Sequence, residues 1–502
     1  MATSTSSSSG ANESLSLLRT QDTTWVNSTG APVTLKGTNL GNWLMQELWM
    51  MGQDANGIED QCSLEAKLTE RFGYSEKERL MKLLRDSWIT TRDWDQLQTF
   101  GFNLVRIPFM WNVIENEKSP KTLRADAWTY FDKAIAEAKK RGIYIIFDLT
   151  GAQGSQSIWT SSGCANQNLY WSSAENQDRV KWLWQQIASR YKDEPTIAAY
   201  DLLNEPWGST SDDMVNRITE LYNAVRLIDT KHILLLPSYF DSIDIYGDPA
   251  AKGMTNVALE LHPYPGLFAE SSNDTHYNIH RDWLRCGATG IAGVCAVNAK
   301  ITALKTPLLM GEFQPWQNAG TELGGKIARA TYDTYANYRW AATSWAYKVV
   351  STDGGQGQGS WGIVTNTLNS NDSGMGLAVN ASTWACAGWN STFTNGCAKA
   401  ARRIKVDGSG SKTYYLAIKT GANVGSNLDV TYDNISIVKD STTTDVITNG
   451  GFGSNTGWTS LNISNAETVD FNYNTGDKTP IGGSGSVLRV SRPMGATGEI
   501  NG

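Results

Sequence analysis

The sequence predicts an α/β fold: a (β/α)8 TIM barrel followed by a smaller C-terminal all-β, sandwich-like domain. Three observations carry this reading. Between about residues 33 and 350, short apolar runs alternate with segments of helical period. There are eight such runs, the number that closes a barrel of parallel strands. Beyond about residue 400 the helical period stops, and short β-rich runs separated by Gly, Asn and Ser take over.

In chain order the strand candidates are Val33–Thr38, Asn103–Ile107, Tyr144–Leu149, Ala198–Leu203, Ile233–Leu236, Ala258–Leu261, Leu308–Met310 and Thr343–Tyr347. They read as mostly continuous apolar runs, the pattern of strands covered on both faces. Helical crossovers are legible between them. Phe131, Ala134, Ile135 and Ala138 repeat at i, i+3, i+4 and i+7. Val180, Leu183, Trp184 and Ile187 do the same, as do Ile218, Leu221, Tyr222 and Val225. A doubly wound sheet would also alternate, but its usual Gly-rich first turn is missing.

After residue 350 a Gly/Gln-rich stretch (Ser351–Ser360) and an Asn/Ser-rich stretch (Asn366–Ser373) precede β-rich runs such as Lys412–Lys419 and Leu428–Val438. Val430–Val438 resembles the last strand of a module and Asn449–Trp458 the first strand of one. Either a second module begins and is cut short, or the two segments pair within one small sandwich. The domains expected are a flexible N-terminal segment (1–20), the barrel (21–398) and a β-rich region (399–502).

The chain has 502 residues, 40% of them hydrophobic and 19% charged, enough to bury a sizeable core and more than one compact domain needs. A net charge of −7 with no basic cluster argues against nucleic acid or an anionic membrane surface. No apolar run is long enough to span a bilayer. Met1–Gly10 lacks a charged start and an apolar core, so it reads as a linker stub rather than a signal peptide. Tryptophan (20) and tyrosine (19) outnumber phenylalanine (12), and such rings offer flat apolar faces with polar edges.

The cysteines are Cys62, Cys164, Cys286, Cys295, Cys386 and Cys397. Fifteen pairings are possible. Two local pairs, Cys286 with Cys295 and Cys386 with Cys397, plus Cys62 with Cys164 is the simplest. Without a Cys-x-x-Cys, zinc is not indicated, and the usage points to an oxidising, extracytoplasmic compartment. Asn27, Asn273 and Asn390 head Asn-x-Ser/Thr sequons.

Two glutamates stand out. Asn204-Glu205-Pro206 ends the apolar run from Ile197, and Gly311-Glu312-Phe313 ends the run from Pro307. In a parallel barrel both exits open on the C-terminal face, where chemistry collects. Breaking a glycosidic bond needs such a pair, one carboxylic acid and one carboxylate. Arg106, at the end of the second strand, can pair with a carboxylate and hold it ionised. His262 and Tyr264 follow the sixth strand and Trp345 the eighth, within reach of the same face. No Gly-x-Ser-x-Gly elbow and no His-Glu-x-x-His motif is present. His276 and His280 are four apart without a third ligand, which reads as a solvated helix face.

Together these residues resemble glycoside hydrolase family 5 over about residues 30–365. Asn204-Glu205-Pro206 is similar to its acid/base segment and Gly311-Glu312-Phe313 to its nucleophile segment. Arg106, His262, Tyr264 and Trp345 match its supporting positions. Lys36–Trp43 and Asp148–Gln156 resemble segments of its exo-β-1,3-glucanases, with Thr150 where those carry histidine. The C-terminal segments look like strands of carbohydrate-binding modules.

The resemblance implies a secreted (extracellular or periplasmic) retaining β-glucan hydrolase, β-1,3-glucanase-like and exo-acting. Glu205 would be the acid/base and Glu312 the nucleophile, the former entering protonated and the latter held ionised by Arg106. Asn204 would bind the 2-hydroxyl. Substrate contacts would come from Arg106, His262, Tyr264, Gln156, Trp43, Trp49, Trp111, Trp207, Trp316, Trp345 and Trp361. The expected partner is a β-glucan poly- or oligosaccharide, with no metal, no organic cofactor, no nucleic acid and no membrane, and the chain acting as a monomer. Rival readings are endo action on β-1,4 or β-1,6 linkages, a mannanase, a transglycosylase, or a non-catalytic glycan-binding barrel.

Overall fold

Eight parallel strands close into a barrel, and inward and outward positions alternate along each one. The computed structural model describes residues 15–51, 53–54, 57–265, 273–286, 293–314, 322–349 and 361–364, with backbone strands at 428–432, 468–473 and 487–492. By its contacts the chain divides into Met1–Asn366 and Thr367–Gly502. The expected boundary at 398/399 lies outside the described residues, as do Lys412–Lys419, Asn449–Trp458, Cys386 and Cys397.

The first unit opens with a hairpin, β1 (Arg19–Gln21) against β2 (Thr24–Val26). Residues 15–20, assigned on composition to a flexible segment, are instead packed: Leu18 is buried and Leu15 lies against the core. Trp25 is fully buried and donates its indole N–H to the Leu308 carbonyl at 3.2 Å, closing the N-terminal end of the barrel.

The barrel strands are β3 (Lys36–Asn39), β4 (Leu104–Met110), β5 (Tyr144–Gly151), β6 (Ile197–Asp201), β7 (Ile233–Pro237), β8 (Val257–Leu261), β9 (Leu308–Met310) and β10 (Ala341–Ser344). Each pairs in parallel with its sequence neighbour, and β10 pairs with β3 to close the ring. All eight expected strands are present. The first and last were expected a few residues out of place, at Val33–Thr38 and Thr343–Tyr347.

Helices cover the outside. Between β3 and β4 lie three, α1 (Gln61–Phe72), α2 (Tyr74–Trp88) and α3 (Thr91–Thr99). Then come α4 (Thr129–Arg141), α5 (Ala174–Tyr191) and α6 (Ser211–Arg226). Their buried faces contain the three i, i+3, i+4, i+7 sets read from the sequence. Gly142 ends α4 at φ +67°, accepting the left-handed turn that follows a basic last turn. The β7–β8 connection carries only two short 3-10 turns, Asp244–Tyr246 and Ala250–Lys252. α7 (Asn273–Leu284) and α8 (Val294–Leu304) precede β9, and α9 (Glu322–Asn337) precedes β10.

The alternation sorts side chains into two cores. Val105, Ile107 and Phe109 of β4, with Ile145, Phe147 and Leu149 of β5, face the helices. Leu104, Ile146, Ala199, Leu235, Ala258, Leu309 and Ala341 fill the interior at the N-terminal end with Trp25 and Leu35. Each such side chain, fully buried, contributes about 1.5–3 kcal/mol, except the alanines, which contribute less. Two residues further along the same strands, the inward positions turn polar: Asn39, Arg106, Asp148, Asp201, Glu260 and Thr343, all buried. A charged layer therefore sits on an apolar plug, immediately beneath the strand exits.

Two disulfides join described cysteines, Cys62–Cys164 and Cys286–Cys295, as in the simplest pairing. Among the described residues no helix is long and apolar enough to cross a membrane. In the second unit β11 (Leu428–Tyr432) and β12 (Thr468–Tyr473) flank β13 (Val487–Arg492), all antiparallel.

Candidate active site

Arg106 is the centre of the charged layer. Its guanidinium reaches Asp201 at 2.7 Å, Glu312 at 3.1 Å, Asp148 at 3.2 Å and Glu260 at 3.3 Å. It also donates to Asn39 Oδ1 at 3.0 Å and Asn204 Oδ1 at 2.7 Å. Burial alone would pull its pKa down, but the four carboxylates outweigh it and hold the group charged.

One cation cannot balance four carboxylates, so protons must. Burial raises Asp201 well above the usual carboxylate range, aided by Glu260, while Glu260 is held low against its own burial by Arg106 and His262. Of this pair Asp201 is the one pushed toward its protonated form, while Glu260 Oε1 lies 3.3 Å from Arg106 Nε and 3.4 Å from His262 Nε2. Burial also pushes Asp148 up to about 7, with Arg106 and a hydrogen bond from Thr150 acting against it.

Above this layer the two glutamates face each other. One oxygen of Glu205, one of Glu312 and one ring nitrogen of His262 all lie within 4.8 Å of one another. Glu312 follows β9 after Gly311, where even a methyl group would sit 2.1 Å from Glu260 Oε1. The Tyr264 hydroxyl donates to Glu312 Oε2 at 2.7 Å, and Arg106 Nη1 to Oε1 at 3.1 Å. Glu205 follows β6 at φ +41°, a left-handed backbone that costs a non-glycine residue about 1–2 kcal/mol. His262 Nδ1 lies 3.0 Å from Glu205 Oε1, and the Ser161 hydroxyl donates to Glu205 Oε2 at 3.2 Å. Burial opposes a charged His262, but Glu312, Glu205 and Glu260 raise it well above its ordinary value and favour the charged ring.

The sequence led us to expect Arg106 to keep Glu312 ionised. In the structure the net push is upward. Burial is the largest cause and the nearby Glu205 adds to it, outweighing His262, Arg106 and Tyr264.

The cavity over the pair has a volume of about 880 Å³. Trp49, Trp207, Trp345, Trp361, His262 and Tyr264 line it. Trp49 and Trp361 meet edge-on at 5.1 Å and Tyr264 packs on Trp361 at 5.6 Å, forming one wall with Trp345. Trp207 stacks on Phe240 at 4.6 Å.

Three expected contacts lie elsewhere. Trp43 is fully buried, donates to the Arg85 carbonyl at 3.0 Å and packs on Tyr130. Gln156 is buried beneath the site. Its amide donates to Thr150 O and Asn204 O and accepts from Ala152 N, so it shapes the strand exits rather than reaching the cavity. Trp111 lies under the Arg179 guanidinium, 4.8 Å from ring centroid to Cζ, away from the cavity lining. Trp316 lies outside the described residues. His280, expected on a solvated face, is buried against Thr331 on α9, and burial pulls its pKa down to about 4.

Residues 68–350, over half of the chain, match the family described as Cellulase (glycosyl hydrolase family 5). The chain belongs to glycosyl hydrolase family 5. It is 30% identical over 253 residues to a beta-xylosidase of Phanerodontia chrysosporium, covering 50% of this chain and 52% of that protein. It is 29% identical over 241 residues to a glucan 1,3-beta-glucosidase of Blumeria graminis, covering 46% of this chain and 55% of that one. The chain thus spans about half the length of these curated relatives. Among solved structures, the rutinosidase from Aspergillus niger aligns with a TM-score of 0.52 at 17% identity, covering 63% of this chain and 90% of that one, a likeness of fold.

Several residues of this family-5 site were not read from the sequence. Glu47 is buried in the cavity wall and accepts from the Trp49 indole at 2.7 Å. Burial, Glu312 and Glu205 push its carboxyl up to about 8, against that hydrogen bond. Trp159, Ser161 and Trp283 also line the cavity. Asp148, Asp201 and Glu260 did leave a signal: each is a lone carboxylate inside an apolar run.

Proposed function

We propose that this chain is a secreted, retaining β-glucan hydrolase with a preference for β-1,3 linkages and exo action. The observation that carries the reading is the Glu205–Glu312 pair, with oxygens within 4.8 Å of each other in the floor of an aromatic-walled cavity. Retaining glycosidases hold their carboxyls about 5–5.5 Å apart, whereas inverting ones leave about 6.5–9.5 Å for a water.

In this reading Glu205 protonates the departing glycosidic oxygen while Glu312 attacks the anomeric carbon, forming a glycosyl-enzyme. Glu205 then takes a proton from water, which displaces the sugar from Glu312. Two donors, Tyr264 and Arg106, point at Glu312, and with the His262 ring 3.6 Å away they favour its ionised form while Glu205 carries the proton. Arg106 occupies Asn204 Oδ1, which turns the Asn204 amide N–H2 toward a sugar hydroxyl. Trp345 supplies an apolar floor. The relatives named glucan 1,3-beta-glucosidase support the linkage. Two disulfides support an oxidising compartment.

The relative named beta-xylosidase supports a second reading, a β-xyloside substrate on the same machinery. Product analysis on laminarin, pustulan, carboxymethylcellulose and mannan, with aryl β-glucoside and aryl β-xyloside beside them, tests both. Glucose released from laminarin as the β-anomer is expected. Faster turnover of the xyloside, or oligosaccharide products only, overturns the substrate or the exo assignment.

A further inference from the structure

We propose that Ser161 is a positioning residue for the Glu205 carboxyl, and that the Cys62–Cys164 disulfide holds it in place. The proposal rests on the reading of Glu205 as acid/base and extends it to the loop between β5 and α5.

Ser161 lies in a 3-10 turn, Thr160–Ser162, and its hydroxyl is 3.2 Å from Glu205 Oε2. His262 occupies the other oxygen, Oε1. An acid/base group passes through both protonation states in each cycle. A hydroxyl suits that cycle because it can donate to the carboxylate and accept from the acid. His262 is engaged with Oε1, so it does not hold Oε2. Ser161 is thus the partner that can keep Oε2 aimed at the cavity before and after proton transfer.

The turn is braced from below and from the side. Ser162 is buried and donates to the Trp159 carbonyl at 2.8 Å, with Ser155 Oγ 2.6 Å away. From α1, the Cys62 N–H donates to Gly163 O at 2.9 Å, and Asp60 Oδ2 accepts from Ala165 N–H at 2.5 Å. The disulfide runs between these two hydrogen bonds and spans 102 residues of sequence. Cys164 is buried with Met45 and Met110. The helix excursion after β3 is therefore clamped to the loop that carries Ser161, and the disulfide joins that loop at Cys164, three residues past Ser161.

The test uses leaving-group dependence on the intact protein. With 2,4-dinitrophenyl β-glucoside the leaving group departs without a proton, whereas phenyl β-glucoside needs one. Ser161→Ala is expected to lose about ten-fold in kcat/KM on the phenyl glycoside, the scale of one hydrogen bond to a charged group, and to keep the dinitrophenyl rate within about two-fold. Ser161→Thr restores the phenyl rate. A folded Cys62→Ser/Cys164→Ser protein shows the same selective loss, and adding Ser161→Ala to it costs little more. Should the double cysteine variant not fold, the Ser161 pair decides alone. Equal losses on both substrates, or none, overturn the proposal. Glu205→Ala separates the two readings: if it loses both substrates equally, the acid/base assignment fails. If it spares the dinitrophenyl glycoside while Ser161→Ala is silent, only the positioning role fails.

Discussion

The Tyr264 hydroxyl donates to Glu312 Oε2 at 2.7 Å, on the opposite carboxylate oxygen from Arg106. Tyr264→Phe removes a donor that favours the ionised carboxylate and leaves the ring in place. The carboxyl is already pushed up by burial and by Glu205, and this hydrogen bond opposes that push. Losing it raises the pKa further, so the acidic limb of kcat/KM against pH should move to higher pH. At the optimum, kcat/KM should fall by about ten- to a hundred-fold. A pH–rate profile of the variant checks both, and an acidic limb that moves down would contradict the assignment of Glu312 as the ionised partner.

Glu205→Gln and Glu312→Gln test the pair itself. Each should lower kcat by at least about a hundred-fold, the smaller end of what a positioned acid/base group contributes. The far-ultraviolet circular dichroism should not change, because both side chains lie at strand exits above the core. In the proposed mechanism the two should differ with substrate: without Glu312 as nucleophile no covalent intermediate can form, so Glu312→Gln should fail on every leaving group.

Much of this arrangement is legible in the chain, and the illegible parts share one physical reason. Eight short apolar runs mark the strands, Arg106 stands out as a lone charge in one of them, and a glutamate after each of two strands marks the exits. These are local signals. Whether a tryptophan faces a cavity or a core is not local: Trp43 and Trp361 both sit in loop-like sequence, yet Trp43 packs on Tyr130 from α4 and Trp361 on Trp49 and Tyr264. Gln156 has a sugar-binding composition around it, but its amide is consumed by Thr150, Ala152 and Asn204. Glu47 is recognisable only once β3, β6 and β9 are known to converge. The upward push on the Glu312 carboxyl escapes sequence reasoning for the same cause, because it is set by burial and by the neighbouring Glu205, His262 and Arg106.

The N-terminal end of the barrel supplies a stability prediction independent of the site. Asp229 is buried and accepts from Lys231 N at 2.8 Å, His232 N at 3.1 Å and Tyr200 OH at 3.1 Å, with His232 Nδ1 at 2.6 Å. Burial would raise its pKa, but these partners, His232 foremost, hold it below the usual value. A carboxyl depressed in the folded state adds stability above its unfolded pKa and loses it as pH falls through the folded pKa. Asp229→Asn should therefore cost about 2 kcal/mol at pH 7. The gap from the parent protein should narrow below about pH 4, the unfolded value for aspartate. Urea denaturation at both pH values measures it, and a gap that widens in acid would refute the sign.

Gly311 offers the sharpest separation of fold from chemistry. It follows β9, and a Cβ there would lie 2.1 Å from Glu260 Oε1 and 2.8 Å from His262 Nε2. Neither neighbour can retreat freely. Glu260 is held by Arg106 at 3.3 Å, and His262 by Glu205 at 3.0 Å. Gly311→Ala must therefore displace the His262 ring or the Glu312 backbone, and either motion spreads the proposed catalytic pair. The strain should cost about 1–3 kcal/mol of stability, typical of overpacking, so the barrel persists. Activity should fall much further, because a misplacement of about 1 Å in a reacting group can cost about a hundred-fold. Thermal unfolding and kcat/KM measured on one preparation decide it: a variant that loses stability but keeps near-normal turnover would mean that the packing of Glu260 and His262 does not position the pair.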